Sequence, residues 1–440
     1  MEELNLFETF GFYEPGFLHL RLNTGEDLTN LNELKKSQDN LKYYSSFFHE
    51  YIHFLQDVTT TFGLADAAFM IDFIKFGNQK IKKDNTVPIV ITNEFNTQTN
   101  RDSQKAIYGD RKVFNRILYQ SYTPLIEKIK DKDNITIELT KYKILFFDYD
   151  TRSYKSCIFG VSCIKEYITH SLQNILFPDT IHPDIPYLIA ELIVKKELPD
   201  FGKDPLLITA LCDASLMSRT PNQTFFKAIE KFKEKSLPKS IDEVYDSVYA
   251  CISNSSLSIE ANYTCILEVT KRQYQNAFSE KSELFKNNNT WLTTVFNNAS
   301  KIRLNDRSFI CKLIQEPGKI SDSFFKIFNL LGTPFMTNNK MQGWFYPPLE
   351  LGQLDVSSYF PLILKSIIKV YYGGCECDLI KFCKKSKVTG TGKTINITNH
   401  NCKSSPWLRV NDTPSCPFGI LWETWGLRDT TPVNRKHKAD

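Results

Sequence analysis

The sequence predicts an α+β fold, predominantly helical, with a cysteine-rich C-terminal tail. Three observations carry that expectation. Apolar residues recur at three- and four-residue steps through most of the chain, the β-type runs fall within the first 150 residues, and five of the 11 cysteines lie beyond residue 370. The same shifts divide the chain into a core over 1–200, a helical region over 201–370 that shapes a cleft, and the tail over 371–440.

Taken in order, Phe17-Leu18-His19-Leu20-Arg21-Leu22 alternates as a half-buried strand, and its edge offers an extended peptide a place to pair. A helix follows, capped by Ser37 or Asp39 and ended by Gly63. It sets Phe47, Tyr51, Phe54, Leu55, Val58 and Phe62 on an apolar side and Ser45, Ser46, His49, His53, Gln56 and Thr60 on a polar one. A second helix is expected over 64–76. Runs at 87–92 and 142–147 read as strands, with a helical, polar stretch between them. From Ser156 the pattern turns helical: Val161, Ile164, Ile168, Leu172 and Ile175 form a stripe ended by Pro178, and Ser162, Glu166, His170 and Gln173 share the opposite side. Residues 183–370 read as mostly helical, including 185–198, 206–217 and a helix opened by Thr220-Pro221.

Composition excludes several classes. Hydrophobic residues make up 42% and charged residues 24%, which is globular rather than disordered or fibrous. A formal charge of +4 gives no basis for nucleic-acid binding. No run of about 18 apolar residues occurs, and Met1-Glu2-Glu3-Leu4-Asn5 lacks the order of a signal peptide, so no membrane association and a cytoplasmic location are expected. In that reducing setting Cys157, Cys163, Cys212, Cys251, Cys265 and Cys311 are expected to be small buried hydrophobes.

The chemistry concentrates in the first helix, where His49-Glu50-Tyr51-Ile52-His53 has the spacing His-Glu-x-x-His. Residues four apart lie on one helical face, so both imidazoles can reach one metal ion. Glu50, roughly 100° round the helix, stands beside the metal, where it can take a proton from a bound water. Seven histidines in 440 residues make an accidental match rare. A catalytic zinc takes three protein ligands and leaves a fourth position to water, so this pair lacks one ligand. Asp57, one turn past His53, is either a partner for the free ring nitrogen of His53 or a solvated helix acid.

Phe48-His49-Glu50-Tyr51-Ile52-His53, and less closely Gly160-Val161-Ser162-Cys163-Ile164-Lys165-Glu166-Tyr167-Ile168-Thr169-His170, resemble segments of the HExxH zinc metallopeptidases, and among them the gluzincins. The Gly and third His of metzincins are absent after His53. The resemblance implies a zincin-like catalytic core and one catalytic Zn2+ held by His49, His53 and a glutamate on a later helix. Glu166 is the candidate, with His170 and Glu191 as rivals; His170 stands where gluzincins often carry an Asp. It further implies hydrolysis of a peptide bond in a protein or peptide substrate by a zinc-bound water that Glu50 deprotonates. Two alternatives are a non-catalytic or regulatory metal-binding protein acting as a partner-binding module, and a metallohydrolase acting on a non-peptide amide or ester.

In the tail, Cys375, Cys377, Cys383, His400, Cys402 and Cys416 offer four thiolates, or three with an imidazole, to a second, structural Zn2+, although no C-x-x-C pair is present. Val388-Thr389-Gly390-Thr391-Gly392-Lys393-Thr394 imitates a P-loop, but Lys387 occupies the first glycine position and no apolar strand precedes it. Trp407, Trp422 and Trp425 are expected to pack the tail onto the body.

Overall fold

The fold is α+β and predominantly helical, with four small sheets among the described residues. The computed structural model describes residues 10–14, 16, 18–28, 38–89, 103, 105–110, 112–130, 136–178, 180–252, 257–278, 283–316, 318–352, 360–385, 398–412 and 416–434. Ser37, Phe17, 90–92 and the P-loop-like 388–394 lie outside them.

Helix α1, Gln38–Thr59, is the centre of the molecule. Phe47, Phe48, Tyr51, Ile52, Phe54, Leu55 and Val58 are all buried, and so are His49, Glu50, His53, Gln56 and Asp57. From Phe47 to Thr59 the expected two-sided helix is therefore buried on both sides, its polar face covered by other protein rather than by water, while Leu41 and Lys42 near its start are exposed. Aromatic side chains form its seat: Tyr51 meets Phe324 and Phe328, Phe48 meets Phe324, and the Tyr51 hydroxyl donates to the Gly332 carbonyl at 2.9 Å. Each such fully buried ring contributes roughly 1.5–3 kcal/mol by its removal from water.

The far end of α1 differs from the expectation. The helix stops at Thr59, and Thr60, extended at φ −119° and ψ 152°, caps the following helix α2, Thr61–Asp84, by accepting from the Gly63 N–H. Gly63 is thus inside α2 rather than a helix stop. A Cβ there would stand 2.4 Å from the Asp57 backbone, so glycine is needed for the close approach of the two helices.

A buried ion pair fixes this corner. Arg303 donates to both carboxylate oxygens of Asp213 at 2.7 and 3.1 Å and to the Thr59 carbonyl at 3.0 Å, while the Tyr245 hydroxyl donates to Asp213 at 2.5 Å. One guanidinium thereby satisfies a carbonyl orphaned at the C-terminal end of α1.

Two sheets bear on the site. In the first, the order is β1 (Gly11–Glu14), β2 (His19–Leu22), β9 (Phe335–Thr337), β10 (Gly343–Trp344), so β2 is an inner strand. The edge expected of 17–22 is therefore not there: among the described residues the edge strands of this sheet are β1 and β10, and β1 pairs only with β2. The second sheet, β4 (Ile117–Lys130), β5 (Thr136–Asp148) and β6 (Ser153–Phe159), occupies much of the stretch expected to be helical and polar. Its β-branched and aromatic residues outweigh its charges there, and Pro124 is tolerated because β4 is an edge strand. Ser156 also lies in β6; the helix begins only after Gly160, as α3, Val161–Leu176. The remaining strands are two-residue and three-residue pairs, with β7 (Ile314–Glu316) beside β8 (Lys319–Ile320) and β3 (Thr86–Val87) parallel to β11 (Val433–Asn434).

From Ile189 onward helices dominate: α4 (Ile189–Glu197), α5 (Pro205–Ser215), α6 (Pro221–Glu234), α7 (Ile241–Ile252), α8 (Ile259–Ala277), α9 (Glu283–Asn305), α10 (Asp322–Leu331) and α11 (Phe360–Tyr371). The tail holds α12 (Ile380–Lys385), α13 (Asn401–Ser404) and α14 (Pro417–Thr424). Trp407 and Trp422 are buried, and the Trp425 indole N–H donates to the Ala277 carbonyl at 2.6 Å, joining the tail to α8. Of the six scattered cysteines four are buried, whereas Cys251 is half-buried and Cys265 exposed. No described helix is long and apolar enough to cross a membrane.

Candidate metal centre

Packing of α3 across α1 brings Glu166 to the two histidines. Its Oε2 lies 3.2 Å from His49 Nε2 and 3.3 Å from His53 Nε2. The ligand atoms of His49, Glu50 and His53 also lie within 4.8 Å of one another. His49, Glu50 and His53 are buried, while the Glu166 side chain keeps a quarter of its surface open to solvent.

The protonation of both rings is set from behind. His49 Nδ1 lies 2.9 Å from Gln173 Oε1, and His53 Nδ1 lies 2.9 Å from Gln56 Oε1. Each glutamine is held in that orientation because its amide N–H groups are spent elsewhere: Gln173 donates to Ser45 Oγ at 2.8 Å and Gln56 to the Lys165 carbonyl at 3.1 Å. A carbonyl oxygen can only accept, so both Nδ1 atoms carry the hydrogen and both Nε2 atoms of the neutral rings present lone pairs. The Thr169 hydroxyl, 3.2 Å from His49 Nε2, donates to the Glu166 carbonyl at 2.9 Å. Three acceptors thus face one point: two imidazole lone pairs and a carboxylate oxygen. That arrangement is repulsive until a cation fills it, and the cation is either protons or a metal ion.

The residues fit a zinc ion. Ligands about 2.0–2.2 Å from zinc and a tetrahedral angle apart stand roughly 3.4 Å from one another, close to the observed separations and longer than a good charge-assisted hydrogen bond. With protons alone in the gap, burial raises Glu166, but the two histidines outweigh it and hold the carboxyl well below its usual range. Burial likewise opposes charge on His49, yet Glu166 and Glu50 keep its pKa above the ordinary value.

The other expected residues fall as follows. His170, one turn beyond Glu166, points beside the histidine pair; its Nδ1 is buried without a hydrogen-bond partner, and it makes no bond to Glu166. Glu191 pairs with Lys195 and not with the histidines. Asp57 is neither solvated nor bonded to His53: it is buried and paired with Lys165 at 2.5 Å, and Gln56 takes the orienting role. Lys165 precedes Glu166, so this ion pair and the Gln56 bond to its carbonyl lock the register of α3 on α1.

Two groups were invisible in the sequence. His182, and Tyr187 in the short π-helix Asp184–Leu188, lie beside His49: the His182 ring stacks on it with centroids 5.6 Å apart, the Tyr187 ring is tilted 6.0 Å away, and the two meet edge to face at 4.3 Å. Burial, reinforced by the neighbouring His49, lowers His170 to about 4 and His182 to about 3, so both are neutral near pH 7. Burial first, then Glu166 and Glu50, keeps the Tyr187 phenol protonated. No spacing rule links these residues to the motif; only the closeness of His182 to the end of α3 was a signal.

Glu50 lies between the histidines and β1, its carboxylate within 4.8 Å of ring nitrogens of both and accepting from the Tyr13 N–H. Its carboxyl is pushed up by burial, with the histidines and the Tyr13 N–H working against that. The Asn23 N–H donates to the Phe10 carbonyl at 2.8 Å, which makes alternate pairs, Phe12 with Arg21 and Glu14 with His19, the hydrogen-bonded ones. The backbone groups of Gly11 and Tyr13 therefore turn away from β2 and towards Glu50, and both residues are buried. The described residues around the histidines come from β1, α1, α3, His182 and the π-helix Asp184–Leu188. A separate cavity of about 310 Å3, lined by Tyr249, Arg303, Asp306 and Arg307 among others, shares none of them. No protein family, curated protein or solved structure that was compared matches this chain.

Proposed function

We propose that the chain is a zinc-dependent peptidase of the HExxH type, with a zincin-like core and with His49, His53 and Glu166 as metal ligands. The observation that carries this is the convergence of two Nε2 lone pairs and one carboxylate oxygen, enforced by Gln173 and Gln56. When bound, zinc supplies Lewis-acid chemistry, polarising a water and a substrate carbonyl and bringing the water's pKa to about 7.

The chain's own residues do the rest. Glu50, adjacent to the ligands but bonded to neither, takes a proton from the attacking water and passes it to the departing amine. Its raised pKa suits it to hold that proton between the two steps. The Tyr187 phenol, its ring 6.0 Å from that of His49 and beside His182, is our candidate donor to the oxygen on which negative charge would develop. Gln173 and Gln56 orient the ligand rings, and Lys165 with Asp57 holds Glu166 in register.

A peptide is favoured over a small amide because β1, beside Glu50, is an edge strand among the described residues, along which an extended chain would pair. The test is a pair of variants. His49→Ala loses zinc and hydrolysis of a peptide library, while Glu50→Gln keeps zinc and loses hydrolysis. Hydrolysis retained by Glu50→Gln would overturn the reading.

A further inference from the structure

The tail gathers four thiols that the sequence scatters over 40 residues. Cys377, Cys383, Cys402 and Cys416 are each buried, and together they line one cavity of about 20 Å3, about the space of a single small occupant. The other two tail candidates are not part of it: the Cys375 thiol lies against the Gly373 carbonyl and His400 is exposed.

Each of the four is positioned by backbone. The Cys377 N–H donates to the Cys402 carbonyl at 2.8 Å, the Cys383 N–H to the Leu379 carbonyl at 2.7 Å, and Cys402 lies on α13. Cys416 caps α14, its sulfur accepting from the Gly419 N–H at 3.3 Å, where the helix N-terminus favours a thiolate. Arg409, itself buried, donates to the Cys402 sulfur at 2.5 Å. Arg409 also pairs with the Asp412 carboxylate.

We propose that Cys377, Cys383, Cys402 and Cys416 form a structural four-thiolate zinc site that clasps the tail, independent of the histidine centre. Binding releases the thiol protons to solvent and leaves a net negative cluster, which Arg409 offsets. The segment needs such a clasp. Helices α12, α13 and α14 have six, four and eight residues, lengths that do not persist without tertiary support. In a closed tetrahedral site, with Zn–S about 2.3 Å, sulfurs stand roughly 3.8 Å apart. Among the described residues no three of these sulfurs lie within 4.8 Å of one another, so the loaded site is a contracted form of this cavity, reached by turning the thiols inward.

The test counts metal in the full-length protein by mass spectrometry and reads its coordination by cobalt substitution. Zinc content falls from two per chain to one in His49→Ala/His53→Ala, and the cobalt form of that variant keeps the sulfur-to-metal charge-transfer band. In Cys383→Ser/Cys416→Ser one equivalent also remains, now without that band. Should the cysteine variant not fold, a mercurial titration of wild type replaces it, releasing one zinc as four thiols react. The proposal is overturned if the histidine variant holds no metal, if its cobalt spectrum lacks sulfur charge transfer, or if peptide mapping finds these cysteines joined as disulfides.

Discussion

Replacing Gln173 by Leu removes the acceptor 2.9 Å from His49 Nδ1 and frees that ring to adopt the other tautomer, with its hydrogen on Nε2 facing the metal. Loss of such an orienting partner typically costs 10- to 100-fold in metal affinity, or about 1.4–2.8 kcal/mol. Gln56→Leu does the same to His53 by a separate bond, so each change costs about the same and the double variant approaches the sum. Zinc affinity is measured by competition with a coloured chelator at fixed pH. The substitutions also strip donors from Ser45 and from the Lys165 carbonyl, a stability cost of about 1–3 kcal/mol that appears in the melting temperature of the metal-free protein. That readout separates a weakened fold from a weakened site. Wild-type zinc affinity in both well-folded single variants would refute the argument that the glutamines set the tautomers.

Four further outcomes follow from the geometry. Tyr187→Phe keeps zinc and KM but lowers kcat by about 10²–10³-fold, the usual cost of losing a donor to a developing oxyanion; an unchanged kcat removes Tyr187 from the mechanism. Gly11→Ala places a Cβ 2.9 Å from the Arg21 carbonyl and 3.5 Å from Glu50 Cγ, so it disturbs the β1 edge and raises KM for extended peptides more than for single-residue amides. Arg303→Met leaves Asp213 buried and unpaired and destabilises the fold by about 3–5 kcal/mol, read by chemical denaturation. Finally, zinc reverses the pH dependence of stability. In metal-free protein His49 is raised and Glu166 lowered, so their pairing stabilises above the ordinary 4.5 of the carboxyl and below the ordinary 6.5 of the imidazole. It is lost as pH rises through the folded value of His49, and lost again as pH falls through that of Glu166. Zinc requires neutral rings, so the increment it adds to the melting temperature grows as pH rises.

The sequence showed the site better than the scaffold, for a physical reason. His49, Glu50 and His53 are read from one helical turn, and Glu166 from a second helix whose polar side had no other use, because both patterns are local. His182 and Tyr187 arrive through the link between α3 and α4, which has no period to read. The β-structure was misread for a related reason. In 117–130 Pro124, Glu127, Lys128 and Lys130 look unlike a buried strand, yet an edge strand with exposed faces tolerates them all. Likewise β1 and β2 continue into β9 and β10, more than 300 residues later, a pairing that no window along the chain contains.

The burial of α1 from Phe47 to Thr59 has a consequence for how the site is held. A ligand pair on a one-sided surface helix can shift with its helix, whereas α1 is fixed on three sides. Phe324 and Phe328 seat it from below, Lys165 and Gln173 tie it to α3, and Arg303 grips its last turn through the Thr59 carbonyl. If the proposed peptidase reading holds, these supports belong to the chemistry as well as to the fold, because catalytic geometry tolerates displacements of only about 0.5 Å. Arg303 shares no contact with the histidines, yet its loss releases the end of the helix that carries them. In Arg303→Lys, which keeps a charge for Asp213 but gives up the fork that also reaches Thr59, zinc affinity therefore falls by more than stability does. Equal losses would mean that Arg303 supports the fold alone.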